Sequence, residues 1–404
     1  MSTMLVFGSS FYGRQVGYAR LRFRLVALAA LVGALCAAPL VVGCGASTTA
    51  DGGTTPNTPT NDAAVGDDGA AADASVDGAT ADSQLPDGES EDTAAADVSE
   101  GGGGNDAALE ADAPEPPPPT DPGQDGPYAY KESDISNGFL SSVHCDVPSA
   151  GPSGGPYPVV LFAHGFMLDS SRYYGYGKRL ASFGYVTCYV AYSDIQGQDK
   201  DPGTISGVLD WVLAQSAASG NELSGLVDAG RAGVMGHSRG GKAAVNAAVQ
   251  DPRFKALLGL DPVNVCPMGT CPDAIAALAG ANLPSAFLGE ITDNGAAGGS
   301  QACAPSADNF EMFYASAPSP SLKVTVAGAN HVSFLDNVDG VCLACGMCVA
   351  ATTDRAIVLE LARSYTVAFF ERYLRGNVGY DTYLTGAIAQ QKYVQTGVAT
   401  IESK

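Results

Sequence analysis

Histidine is scarce in this chain: four residues among 404, beside a single tryptophan. Any chemistry that needs an imidazole therefore has few places to find one. Lysine and arginine are also few, 21 against 43 aspartates and glutamates, and between residues 45 and 126 they are missing altogether. No basic patch interleaved with aromatics occurs, which excludes the nucleic-acid-binding classes. There is no internal repeat, which excludes solenoids and propellers.

The one long apolar run is "LVALAALVGALCAAPLVV", close to the amino terminus and ending just before Gly43-Cys44. Residues 1–44 carry four arginines (Arg14, Arg20, Arg22, Arg24) and no acid. A basic segment, an apolar run of this length and a small residue at the boundary make an export signal. Val41-Val42-Gly43-Cys44 resembles the lipobox of bacterial lipoproteins, which implies lipid modification of Cys44 and a membrane anchor in the cell envelope, at the outer membrane or cell surface.

Residues 45–126 are Ala, Gly, Asp, Thr, Ser and Pro, with four prolines at 116–119 and 19 acids without a single base. Of the 22 net negative charges of the chain, 19 sit here. So little of the segment is large and apolar that burial cannot offset chain entropy, and a disordered acidic linker is expected. As a loose coil of ~80 residues it spans roughly 50 Å or more. Residues 127–404 hold 17 basic and 24 acidic residues, so the low isoelectric point of the whole chain says little about a substrate.

Eight cysteines fall in this last region, an even number in an exported chain, which favours disulfides. Cys266 and Cys271, five apart in a Pro/Gly loop, make a local pair. The run "CLACGMC" (342–348) offers three thiols without a matching fourth, so an iron–sulfur or zinc centre on Cys342–Cys348 is the weaker reading. No metal and no organic cofactor is expected.

From about Tyr128 short β-branched runs alternate with longer helical patterns, the signature of an α/β fold: a mostly parallel sheet with helices on both faces. Strands are predicted at 157–163, 185–191, 232–236, 256–261, 284–290 and 322–328. Helices are predicted near 171–183, 203–216, 239–250, 307–316 and 353–374, with two antiparallel pieces at 128–131 and 138–146. In such sheets chemistry gathers at the carboxyl ends of the strands.

One of those ends reads Gly236-His237-Ser238-Arg239-Gly240. This is G-x-S-x-G between an apolar strand and the helical "KAAVNAAVQ", the setting of a nucleophile elbow, whose flanking positions must be small because the turn is tight. A nucleophilic serine needs a base further on, and only His331, in "AGANHVSF" after the last strand, follows it; His144, His164 and His237 all precede it. Two aspartates can orient that histidine: Asp261, ending "ALLGLD", and Asp293, in "LGEITDNG". The residues alone leave both open. The oxyanion amides are assigned to Arg239, at the helix start, and Phe166, in the loop after "VVLFA". His164 and His237 then pack and hydrogen-bond, while Phe166, Tyr173 and Tyr174 either line an apolar subsite or pack.

"YPVVLFAHGF", "GHSRGGKAA", "LLGLDPV", "CAPSADNFEMFY" and "NHVSFLDN" resemble, in order and wording, the chlorophyllase group of the α/β-hydrolases over residues 128–375. This resemblance implies Ser238 as nucleophile, Asp261 as acid and His331 as base. Platelet-activating-factor acetylhydrolases, to which the region is also similar, take the acid from the same place; cutinase-like polyester hydrolases use the later one, here Asp293. The export signal, acidic spacer and cysteine-rich "GVCLACGMCVA" (340–350) depart from plant chlorophyllases, so the resemblance implies the reaction and not the pigment.

A serine carboxylic-ester hydrolase acting outside the cytoplasm on an apolar or lipid-like ester is therefore expected, with a lipase, polyester hydrolase or phospholipid-acyl hydrolase within the same class. The rival from another class is a surface lipoprotein that keeps the fold as a binding module.

Overall fold

A computed structural model describes residues 119–136, 142–192, 197–266, 270–295, 302–339 and 344–404. The export signal, Cys44, nearly all of the acidic spacer and Cys342 lie outside the described residues.

Among the described residues nine strands form one sheet. In chain order they are β1 (Ala129–Ser136), β2 (Ser142–Ala150), β3 (Tyr157–Ala163), β4 (Val186–Val190), β5 (Val227–His237), β6 (Phe254–Leu260), β7 (Ser285–Gly289), β8 (Ser321–Val326) and β9 (Ala399–Ser403). Their order across the sheet is β1-β2-β4-β3-β5-β6-β7-β8-β9. The six from β4 to β8 run parallel; β1 and β2 enter antiparallel at one edge and β9 closes the other the same way. The second early strand lies at 142–150 rather than 138–146. The closing strand was not predicted, since "ATIES" has neither length nor alternation to mark it.

β3, β4 and β7 are buried at every position, which is why they read as continuous apolar runs rather than as alternating ones. Successive side chains nonetheless go to opposite layers. Val160, Phe162 and Leu258 join the core shared with helices α1 (Tyr174–Ser182) and α6 (Arg355–Leu374). Val159, Leu161 and Leu257 join that shared with α2 (Asp201–Ala217), α3 (Arg239–Gln250) and α5 (Phe310–Ser316), near which the short α4 (Ala274–Leu278) also packs. Two sandwiched cores hold the sheet rigid and leave its carboxyl edge free to carry loops.

No helix among the described residues is long and apolar enough to cross a membrane. Three disulfides join Cys145 to Cys188, Cys266 to Cys271 and Cys303 to Cys348, and Cys345 is also disulfide-bonded. The local pair anticipated from spacing is present, and these thiols of the "CLACGMC" run are engaged in sulfur–sulfur bonds.

Candidate active site

β5 stops at His237 and α3 begins at Arg239, so Ser238 alone makes the turn between them. Its backbone sits at φ 57°, ψ −125°, a conformation that costs an L-residue of order 1–3 kcal/mol and persists only where surroundings impose it. Three backbone bonds do so: Ser238 N–H donates to the Leu260 carbonyl at 3.1 Å, and the Ser238 carbonyl accepts from Lys242 N–H at 3.1 Å and Val263 N–H at 3.3 Å. The two glycines are steric necessities. A Cβ on Gly240 would lie 2.0 Å from the Ala163 carbonyl oxygen, and one on Gly236 2.4 Å from the Gly240 backbone.

The described residues include three non-glycines with positive φ: Met167 (54°), Ser238 (57°) and Asp261 (42°). They follow β3, β5 and β6, which are neighbours in the sheet. Backbone strain is thus gathered at one edge, where the strands' carboxyl ends meet.

Both candidate aspartates reach His331, but at different atoms. The ring Nδ1–H donates to Asp261 Oδ2 at 2.6 Å, while the backbone N–H of His331 donates to Asp293 Oδ2 at 2.9 Å. Asp293 also accepts from Val349 N–H through its other oxygen. Asp293 therefore ties the histidine loop to the cysteine-rich segment, whose Cys348 is bonded to Cys303. Gly289 leaves room for the Asp261 carboxylate, since a Cβ there would come within 2.7 Å of Oδ1.

Three residues complete the support, one of them, Tyr173, already singled out in the sequence as a subsite or packing residue. Tyr173 is fully buried; its hydroxyl accepts from Gly165 N–H at 3.3 Å and lies 2.9 Å from His237 Nδ1. His237 Nε2 lies 2.9 Å from the His331 carbonyl. That carbonyl can only accept, so Nε2 carries the proton and Nδ1 accepts from the tyrosine. Burial, helped by the His331 charge, holds the His237 pKa far below its usual value, so this ring stays neutral. The chain Gly165–Tyr173–His237–His331 links the loop after β3, the serine turn and the histidine loop. Tyr173 is thus a packing and bonding residue rather than a substrate contact.

The second addition is Asp201, at the start of α2. Both its oxygens take the Arg239 guanidinium at 2.9 Å, and each side chain is buried. The guanidinium lies 4.8 Å from the Tyr192 ring centroid and 5.9 Å from that of Phe166, which pins the loop after β3 against the head of α3. Removing one partner of such a buried pair strands the other, at about 3–5 kcal/mol.

Glu290 is the third. It is wholly buried, its N–H lies 3.4 Å from Asp261 Oδ1, and its Oε2 accepts from Asp293 N–H at 2.9 Å. Burial first, and then the Asp261 charge, push its carboxyl up to about 9, so at neutral pH it is protonated. Burial also raises Asp261, opposed chiefly by its hydrogen bond to His331. Keeping Glu290 neutral removes one like charge from beside Asp261.

The structure thus brings Ser238, Asp261 and His331 to the carboxyl ends of β5, β6 and β8, with Phe166 and Arg239 beside them, and gives Asp293 a backbone-holding position. Against proteins of known activity, the chain is 25% identical to bis(hydroxyethyl) terephthalate hydrolase of Streptomyces coelicolor over 64% of its own length and 71% of the relative's. It is 25% identical to chlorophyllase-2 of Arabidopsis thaliana over 55% of the chain and 75% of that protein. To cutinase est1 of Thermobifida alba it is 24% identical, covering 56% of the chain and 64% of the relative. The model of the chlorophyllase family matches residues 125–396, and with the serine turn and fold described above the chain belongs to the chlorophyllase family of α/β-hydrolase serine esterases.

Proposed function

We propose that this protein is a carboxylic-ester hydrolase that works through a Ser238 acyl-enzyme on apolar esters, held outside the cytoplasm by a lipid on Cys44 and an 82-residue acidic spacer (residues 45–126). The observation that carries the reading is the 2.6 Å bond from the His331 ring to Asp261, close to a serine in the strained elbow turn.

Asp261 fixes the His331 tautomer with the proton on Nδ1, which leaves Nε2 to take the Ser238 proton as Oγ attacks the ester carbonyl. The imidazolium that forms is stabilised by the buried carboxylate. Negative charge on the former carbonyl oxygen rests on the amides of Phe166 and Arg239, the latter at the first turn of α3, where the helix dipole favours an anion. His331 then gives its proton to the leaving alcohol, and water repeats the sequence to free the acid.

An apolar substrate is supported by the rim of the same edge. Met167, Val265 and Ile291, following β3, β6 and β7, are 50%, 37% and 49% exposed. Relatives named as a terephthalate-ester hydrolase and a cutinase agree with such a preference. The domain boundaries that go with this reading are a signal at 1–44, the spacer at 45–126 and the catalytic domain at 127–404.

The test is hydrolysis of p-nitrophenyl esters from acetate to palmitate by the purified protein beside its Ser238→Ala variant. The parent should turn over the series with a preference beyond acetate, and the variant should lose about 10⁴-fold or more. Turnover that survives in Ser238→Ala removes the mechanism. Absence of turnover on every ester, by a folded and oxidised protein, makes a non-catalytic binding module the better reading.

A further inference from the structure

At the opposite edge of the sheet a second histidine is built into a cluster of carboxylates. His144 on β2 has its Nδ1 2.8 Å from Asp134 Oδ1 across the β1–β2 ladder, where the two residues are register partners. Its ring lies flat on Tyr174, with centroids 3.7 Å apart and planes 5° apart. With Nδ1–H donated to the carboxylate and the ring clamped, the Nε2 lone pair has one direction to point.

Two carboxylate oxygens lie near that nitrogen. Asp146 Oδ1 and Glu132 Oε2 each lie 4.0 Å from His144 Nε2, and the three atoms are all within 4.8 Å of one another. Asp146 is wholly buried and the His144 side chain is only 10% exposed. Both His144 Nε2 and Asp146 Oδ1 are buried with no hydrogen-bond partner. Two orphaned buried polar atoms facing each other are costly unless something between them satisfies both. The other oxygens are occupied: Asp146 Oδ2 accepts from the Tyr189 hydroxyl at 3.2 Å, and Glu132 Oε1 from Lys178 Nζ at 2.9 Å. Each carboxylate is thereby turned to present one oxygen.

We propose that Glu132, His144 and Asp146 bind one divalent transition-metal ion of the zinc class, with Asp134 orienting the histidine. A point equidistant from donors so spaced lies roughly 2.4 Å from each, a few tenths of an ångström beyond zinc–nitrogen and zinc–oxygen lengths of about 2.0–2.2 Å. Glu132, about half exposed on β1, is the arm free to close that gap. The nitrogen donor disfavours calcium and magnesium, which prefer all-oxygen shells. A histidine whose far nitrogen is held by a carboxylate is the usual support of a metal ligand. Lys178 of α1 and Asp336 are the other charged groups that bear on Asp146.

The site lies outside the serine machinery. An ion there would tie β1 to β2 beside the Cys145–Cys188 bond that joins β2 to β4, fastening the antiparallel edge onto the parallel sheet.

Calorimetric titration of the metal-stripped full-length protein with Zn²⁺ tests this, with Co²⁺ as a spectroscopic probe. The acidic spacer adds weak background binding that every variant shares, so the difference between parent and variant is what is read. One tight site should be seen in the parent, with a Co²⁺ d–d band and a higher melting temperature on loading. His144→Asn and Asp146→Asn should each weaken that site about 100-fold or more and lose the band, while Asp134→Asn should weaken it about 10-fold. Retained ester turnover in the variants shows that they fold. Zinc binding equal in parent, His144→Asn and Asp146→Asn, or no event tighter than the spacer background, overturns the proposal.

Discussion

Two histidines in this molecule are held in the same way and face different things. His331 gives Nδ1 to Asp261 at 2.6 Å, and His144 pairs Nδ1 with Asp134 at 2.8 Å. In both, the far nitrogen is aimed by that bond. The His331 unit sits at the carboxyl ends of parallel strands, beside a strained serine; the His144 unit sits on an edge hairpin before two carboxylate oxygens. Asp261 is wholly buried, whereas Asp134 is 71% exposed. A buried partner stabilises an imidazolium strongly because little water screens it; an exposed one does little beyond setting the tautomer. The same pair of side chains therefore suits proton transfer in one place and ligation in the other.

The largest effect expected from breaking this contrast is at Asp261. Asp261→Asn removes the tautomer control and should lower kcat about 10³–10⁴-fold, whereas Asp293→Asn, which loses a backbone clamp and leaves the ring partner in place, should cost about 10-fold; steady-state kinetics on one p-nitrophenyl ester separates them. Should Asp293→Asn be the more damaging, the acid is the later residue, as in the cutinase-like arrangement. Smaller again is Tyr173→Phe, which withdraws the donor to His237. A loss of about 3–10-fold in kcat with KM unchanged would show that the buried chain behind Ser238 positions the His331 loop, while an unchanged kcat would reduce it to packing.

A further effect concerns stability rather than turnover. The folded protein keeps a proton on Glu290 up to about pH 9, while the unfolded chain gives it up near the ordinary carboxyl value. The native state then binds more protons over that window, so this group makes stability fall as pH rises from about 4.5 to about 9. Glu290→Gln should flatten that slope, read from melting temperatures between pH 5 and 9, with little change below pH 5. A slope that persists would assign it elsewhere.

Much of the candidate site was legible because the chemistry restricts where residues can stand. A serine between Gly236 and Gly240, and one histidine after it, leave few arrangements, and fully buried strands such as "YPVVLFA" announce a parallel sheet. The choice between Asp261 and Asp293 was not legible. Each follows a strand, and what distinguishes them is which atom of His331 they meet, a matter of loop path rather than of pattern. The bonding roles of Tyr173, Asp201 and Glu290 were hidden for a related reason: each acts by pairing with a residue at least 29 positions away. His144 and Asp146 alternate along β2 with the buried Cys145 between them, yet the partners that give them meaning lie on β1 and α1.

The three left-handed non-glycine residues, Met167, Ser238 and Asp261, bear on any attempt to improve this protein. Glycine at Ser238 would relax the local backbone and remove the proposed nucleophile with it, whereas glycine at Asp261 would also strand the buried His331 ring nitrogen. A screen rewarding thermal robustness alone would be drawn to a position that a screen for ester cleavage must keep. Directed evolution here has to select for both properties in the same round.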